Sequence, residues 1–143
     1  MARARIVLAD DHSSVREMAL QQLEPEFEVV GAVEDGLALL EAVSRMKPDV
    51  CVVDISLPRI SGMQAAEQIK ASGSKTRVVV LTVHEDQDFV RAALNRGVLG
   101  YVVKSRMASD LSPAIHAAMA GRLFVSPSCT FTLPGPRKVN PEV

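Results

Sequence analysis

Val50-Cys51-Val52-Val53-Asp54-Ile55-Ser56-Leu57-Pro58, with Gly62 four residues further on, is the stretch on which the architecture turns. Its first four residues are apolar, and three of them are β-branched. No polar position is left for a solvent-facing side, so the run reads as a strand covered on both faces, as in a parallel sheet. It stops abruptly at a carboxylate followed by turn-forming residues. Four more runs share this character, at 6–9, 27–33, 78–81 and 101–103. Between them lie faces at helical spacing. Val15, Met18, Ala19, Gln22 and Leu23 form the first, and Leu37, Leu40, Val43 and Met46 the second. Met63, Ala66, Ile69 and Lys70, then Phe89, Val90, Ala93 and Leu94, continue the series, which Leu111, Ile115, Ala118 and Met119 complete. Gly36 precedes the second helix and Pro48 ends it, while Gly73 and Gly97 stand where two more should stop. Pro113 is compatible with two starts of the fifth helix: Ser109 as N-cap, or Ser112 as N-cap with the proline in first helical position. Five alternating βα units predict an α/β fold, a doubly wound parallel sheet with right-handed crossovers. Such sheets bind ligands beyond the carboxyl ends of their strands.

Composition narrows the classes further. The chain has 143 residues, 48% hydrophobic and 23% charged, which suits one globular domain. Sixteen Lys and Arg against seventeen Asp and Glu give a net charge of −1, which argues against nucleic acid as the main ligand. No apolar run approaches the roughly 20 residues of a membrane span. Arg3 and Arg5 precede an apolar run, but it is short and runs into Asp10-Asp11, so a signal peptide is excluded and a cytoplasmic protein is expected. Two cysteines make neither a disulfide framework nor a metal cluster. Aromatic residues at 3% imply an aliphatic core. Residues 130–143 contain three prolines and almost no periodicity, so residues 126–143 are expected to be a tail or the start of a linker behind a domain at 1–125.

The strand ends carry the chemistry. Asp10-Asp11, Asp54, Thr82 and Lys104 each follow an apolar run, and the fold predicts that they converge on one rim of the sheet. Three carboxylates brought together repel one another unless a cation neutralises them. All-oxygen ligands with room for water favour a hard ion such as Mg²⁺. A lysine and a hydroxyl beside that cluster suit an incoming anion with several oxygens, for which phosphate is the obvious candidate. Metal and lysine would then spread the charge of a phosphoryl group while a carboxylate attacks phosphorus in line.

Taken together, these residues resemble the receiver domain of bacterial two-component response regulators over about residues 5–121. The likeness rests on Asp10-Asp11, on Asp54-Ile55-Ser56-Leu57-Pro58 with Gly62, on Leu81-Thr82, and on Gly100-Tyr101-Val102-Val103-Lys104. The resemblance implies a flavodoxin-like five-stranded sheet in order 2-1-3-4-5. It implies Asp54 as phosphoacceptor, Asp11 as a direct Mg²⁺ ligand, Asp10 holding the ion largely through water, and the Ser56 carbonyl as a further ligand. Thr82 would hydrogen-bond the phosphoryl oxygens, Lys104 would pair with them, and Tyr101 would be an aromatic rotamer switch. The implied partners are a sensor histidine kinase or phosphotransfer protein and a phosphorylation-biased homodimer, with no membrane. Ser105 in place of the proline that many receivers carry there, and the phrase at 121–127, resemble receivers joined to a four-helix helix-turn-helix domain of LuxR type. Residues 1–143 lack that module, so the chain is expected to be either a single-domain regulator or part of a longer transcription factor, and by itself it is not expected to bind DNA.

Plainer readings exist for each residue taken singly. Asp10-Asp11, Ser13 or Ser14 would serve as N-caps of the first helix. Asp54 would start a polar loop, Thr82 end a strand, and Lys104 and His84 face solvent, with Tyr101 in the core. The joint occurrence outweighs these readings. A dinucleotide enzyme needs a glycine-rich first turn, of which Asp10-Asp11-His12-Ser13 is the electrostatic opposite. An aspartyl phosphatase needs a cap or lid that so short a chain does not supply. The remaining alternative is a phosphorylation-independent pseudo-receiver acting as an interaction module, which the complete acidic set disfavours.

Overall fold

The computed structural model describes residues 3–129. Strands β1 (Arg5–Ala9), β2 (Glu28–Val33), β3 (Val50–Val53), β4 (Arg77–Thr82) and β5 (Gly100–Val103) alternate with helices. These are α1 (Ser13–Leu23), α2 (Gly36–Met46), α3 (Gly62–Ala71), α4 (Gln87–Asn95) and α5 (Met107–Met119), after which comes β6 (Phe124–Val125). Every strand pair is parallel, in the order β2-β1-β3-β4-β5-β6. The expected order 2-1-3-4-5 is therefore present, with one short strand added beside β5. Among the described residues no helix is long and apolar enough to cross a membrane.

Strand alternation divides the core into two layers. Val7, Ala9, Cys51, Val53, Val80, Tyr101 and Val103 face one side, where Leu39, Ala42, Ala65, Ile69, Val90 and Ala93 cover them from α2, α3 and α4. Ile6, Leu8, Val50, Val52, Val79, Leu81 and Val102 face the other, against Ala19 and Leu23 of α1 and Leu111, Ala114, Ile115 and Ala118 of α5. Burial on both faces is the reason these strands show no polar alternation. It also pushes the Cys51 thiol up to about 12, so that it stays an uncharged filler.

Helix ends set which faces turn inward. The Asp35 carboxylate accepts from the Ala38 amide at 2.8 Å and starts α2 at Gly36. The buried stripe then falls on Leu39, Ala42 and Val43; of the face read from periodicity, Val43 is buried, Leu40 and Met46 pack at its margin and Leu37 is left exposed. Met18 and Lys70 likewise lie outside their helices' buried stripes. Ser61 and Gln64 form a reciprocal capping box at α3, and Asp86 caps α4. Neither serine starts α5. A 3₁₀ turn at Lys104–Arg106 runs directly into Met107, so Pro113 sits inside the helix. Ala114 and Ala118 are fully buried against the sheet and are unavailable at the surface. The tail expected from residue 126 lies, from 130 onward, outside the described residues.

Asp54 leaves β3 into a loop that two helices lean upon. The Gly36 amide donates to the Pro58 carbonyl at 3.2 Å, and the Gly62 amide to the Ile55 carbonyl at 2.9 Å. A Cβ at Gly62 would lie 2.2 Å from the Asp54 carbonyl oxygen, and one at Gly36 would lie 2.0 Å from that of Ile60. Both obstacles are backbone, which cannot swing aside. Gly62→Ala should therefore cost about 1–3 kcal/mol, by analogy with overpacked cores. A lowered urea midpoint with displaced Asp54 and Ile55 amide resonances is the expected result, and an unchanged midpoint would contradict it.

Candidate functional site

Three strand ends share one local turn. Asp10 Oδ1 accepts from the His12 amide at 2.8 Å, Asp54 Oδ1 from the Ser56 amide at 3.1 Å, and Thr82 Oγ1 from the His84 amide at 3.3 Å. In each case the strand's last polar side chain bonds the amide two residues on, so the chain turns away beneath it. Asp10 is thereby engaged in its own loop and does not cap α1. His12 occupies the N-cap position there, and no side chain bonds the helix end. Backbone contacts anchor the rim, from the Asp54 amide to the Ala9 carbonyl at 3.0 Å and from the Asp10 amide to that of Val33 at 3.1 Å.

The second oxygens of the two aspartates meet at one ammonium. Lys104 Nζ stands 2.9 Å from Asp10 Oδ2 and 3.0 Å from Asp54 Oδ2. Both carboxylates are almost wholly buried. Burial by itself would lower the lysine's pKa, but the close contacts with Asp10 and Asp54 and their charges outweigh it and hold the group above its ordinary value. Asp11 lies at the mouth, its side chain 35% exposed. Three carboxylates thus face one ammonium, and negative charge is left over.

The donor set suits a divalent cation. One carboxylate oxygen from each of Asp10, Asp11 and Asp54, with a ring nitrogen of His12, lie within 4.8 Å of one another. Asp10 Oδ2 is buried and has only the ionic contact with Lys104, with no aligned hydrogen bond. A carboxylate oxygen without a hydrogen bond in a net negative cluster fits a hard cation well. Ser56 is exposed, and its amide bond to Asp54 fixes the loop that follows the strand.

Thr82 and Tyr101 make no hydrogen bond to the carboxylates and meet at His84. Thr82 is fully buried, and its hydroxyl holds the His84 amide. The Tyr101 ring is also fully buried, and its hydroxyl donates to the His84 carbonyl at 2.8 Å. Tyr101 is therefore already turned inward. Burial, followed by the nearby Cys129 and Asp86, pushes its phenol far above the usual range. The His84 ring stacks on Phe89, with centroids 4.1 Å apart.

Two features escaped the sequence reading. His12 touches the cluster, with Nδ1 3.1 Å from Asp11 Oδ1 and 3.3 Å from Asp10 Oδ1. Its position directly after two aspartates was the available signal. The other is Asp110, a buried carboxylate bonded by Arg106 at 2.8 Å, Ser109 at 2.9 Å and Ser126 at 2.7 Å. Burial would raise its pKa, yet the bonds from Arg106, Ser126 and Ser109 hold it below the ordinary value. An acidic residue on the apolar face of α5 was the sign to follow.

Removing the shared ammonium tests this arrangement. Lys104→Met should lose about 1–3 kcal/mol, the cost of leaving buried acceptors unsatisfied, and Mg²⁺ should restore part of it by neutralising the carboxylates. Because the lysine's folded pKa is raised, its contribution is complete below about 10.5 and fades only as pH climbs through the folded value above that. Urea melts at neutral pH, with EDTA or with Mg²⁺, are the measurement. Equal stability of variant and wild type would show that the ion pair carries no weight.

The sequence pattern of the response regulator receiver domain matches residues 6–116. The transcriptional regulatory protein DegU of Brevibacillus brevis is 34% identical over 133 residues, 92% of this chain and 56% of DegU. Among solved structures, a LuxR-family two-component response regulator from Aurantimonas sp. SI85-9A1 superposes with a TM-score of 0.81 at 34% identity, covering 88% of this chain and 91% of that one. The signal receiver domain of NarL from Mycobacterium tuberculosis gives 0.82 at 30% identity, covering 85% of this chain and all of the other. The chain thus spans little more than half the length of DegU.

Proposed function

The chain belongs to the response regulator receiver family, in its LuxR-type branch, and from that membership we propose that it accepts a phosphoryl group on Asp54 from a sensor histidine kinase or phosphotransfer protein, in a Mg²⁺-dependent reaction. The observation that carries this reading is the single ammonium of Lys104 shared by buried Asp10 and Asp54. Asp11, Asp54 and the Ser56 carbonyl would hold the ion directly and Asp10 largely through water. When bound, Mg²⁺ supplies charge neutralisation to the phosphoryl oxygens.

An oxygen of the Asp54 carboxylate forms the new bond to phosphorus. The bond from phosphorus to the donor's imidazole nitrogen breaks, and its electron pair stays on that nitrogen. Lys104 already sits on the carboxylate that reacts and would exchange Asp10 for a phosphoryl oxygen. Water later hydrolyses the acyl phosphate and restores Asp54. Turnover is limited to this self-modification, so the chain is not an enzyme toward other substrates. Labelling with acetyl phosphate and Mg²⁺ should raise the intact mass by one phosphoryl group in wild type and leave Asp54→Asn unchanged. An unlabelled wild type, or an Asp54→Asn variant labelled equally, would overturn the assignment.

The switch follows from who holds His84. A phosphoryl oxygen competing for the Thr82 hydroxyl would release the His84 amide, and the carbonyl of that same residue retains Tyr101. The surface altered would be that of α4, β5 and α5, which we read as a phosphorylation-biased homodimer or partner face. In this reading the site of action is cytoplasmic, and DNA is contacted by the helix-turn-helix part of a longer parent protein, with residues 1–143 alone giving no specific binding. A switch of this kind couples by 1–3 kcal/mol, so beryllofluoride with Mg²⁺ should shift the dimer association constant by roughly 5- to 150-fold. Sedimentation measures it, and fluorescence of the chain's one tyrosine reports whether Tyr101 takes part. Identical association in both states would remove the support for a dimer switch.

A further inference from the structure

We propose that His12 supplies an imidazole nitrogen to the cation centre formed with Asp10, Asp11 and Asp54, and thereby sets its preference among divalent ions toward the Co²⁺ class over Mg²⁺. The inference rests on the reading of these aspartates as a metal site and goes beyond it to which metal they select. The ring nitrogen is held over two of the carboxylates, 3.1 Å from Asp11 and 3.3 Å from Asp10, and within 4.8 Å of an oxygen of Asp54. Four potential donor atoms, one from each residue, thus surround one small volume, and the Asp10 carboxylate among them is almost wholly buried, with Oδ2 lacking an aligned hydrogen bond.

The backbone aims the ring. His12 is the N-cap of α1 in an extended conformation, and its amide is tied to Asp10 Oδ1. That tie turns the residue straight back over the aspartate two positions before it. No helix-capping bond uses its side chain. The other two histidines are engaged elsewhere, His116 with Glu26 and Phe27, and His84 on Phe89. The ring of His12 is 63% exposed, so it can adjust by a side-chain rotation without disturbing the core.

Ligand type decides what such a centre takes. Carboxylates alone suit Mg²⁺, whereas imidazole suits later first-row ions, whose affinities rise from Mn²⁺ through Co²⁺ and Ni²⁺. One nitrogen among oxygens leaves Mg²⁺ binding nearly untouched and strengthens the later ions. His12 is in this sense a selectivity residue, dispensable for holding the ion.

Equilibrium dialysis of residues 1–143 tests this with Mg²⁺ and Co²⁺ as probes. A Cys129→Ser background keeps the half-buried thiol from taking cobalt. His12→Ala should reduce the ratio of Co²⁺ to Mg²⁺ association constants by roughly tenfold or more, the scale on which supporting groups tune metal affinity. The visible ligand-field spectrum of bound Co²⁺ should change with it, while the Mg²⁺ constant hardly moves. An unchanged ratio would overturn the proposal. So would an equal change for both ions on loss of the ring, since His12 would then not discriminate between them. A wild type that binds neither metal would defeat the metal-site reading itself, which is a separate outcome.

Discussion

One ammonium shared by two buried carboxylates dictates the arrangement at this end of the molecule. Taking an ion out of water costs several kcal/mol even after relaxation, and the rim carries Asp10, Asp54 and Lys104 with little solvent around them. Removal of any one leaves charge in a poor solvent. Strand order meets the requirement. β1 and β3 are neighbours, which puts Asp10 and Asp54 side by side, while β4 separates β3 from β5. The lysine must therefore span the end of the strand that carries Thr82, and a long flexible side chain is needed to do so. Hydrophobic isosteres would pack these positions with less penalty. The retained excess of negative charge makes sense as affinity for a cation and an anion that arrive together.

His84 links the rim to the interior. Its amide belongs to Thr82, its carbonyl to Tyr101 and its ring to Phe89 at the start of α4. Rim, core and helix thus converge on one residue whose side chain alone says little in a sequence. A second chain of contacts runs through Arg106, Asp110 and Ser126, where the Ser126 hydroxyl donates to Asp110 and accepts from the Val103 amide next to Lys104. Both relays begin within one residue of the site and end on the α4–β5–α5 side.

Legibility followed the physics of each feature. Continuous β-branched runs announce strands buried on both faces, and polar residues that terminate such runs announce the rim, so the sheet and Asp10, Asp11, Asp54, Thr82 and Lys104 could be read directly. Helix faces were less certain because Leu37, Leu39 and Leu40 offer competing stripes, and the Asp35 cap decides among them. The start of α5 was hidden because a 3₁₀ turn needs no capping residue. β6 has two residues, too few for any periodicity, and is held by pairing with β5 and by the packing of Phe124 and Val125 on the core. His12 went unread because its role depends on a turn geometry that adjacency alone does not specify.

That brief β6 has a consequence for anyone dividing the molecule. A parallel sheet leaves open amides and carbonyls along its outermost strands, and flat apolar edges invite pairing with other chains. All four residues of β5 are buried. Phe124 and Ser126 close its outer side, with amide bonds of 2.9 Å to the carbonyls of Leu99 and Tyr101. A fragment trimmed at Gly121, where the helical pattern fades, would bare Gly100–Val103 as a sticky edge and strip Asp110 of its bond from Ser126. Such a fragment would be prone to aggregate for reasons unrelated to signalling, and a cut beyond Ser126 avoids it.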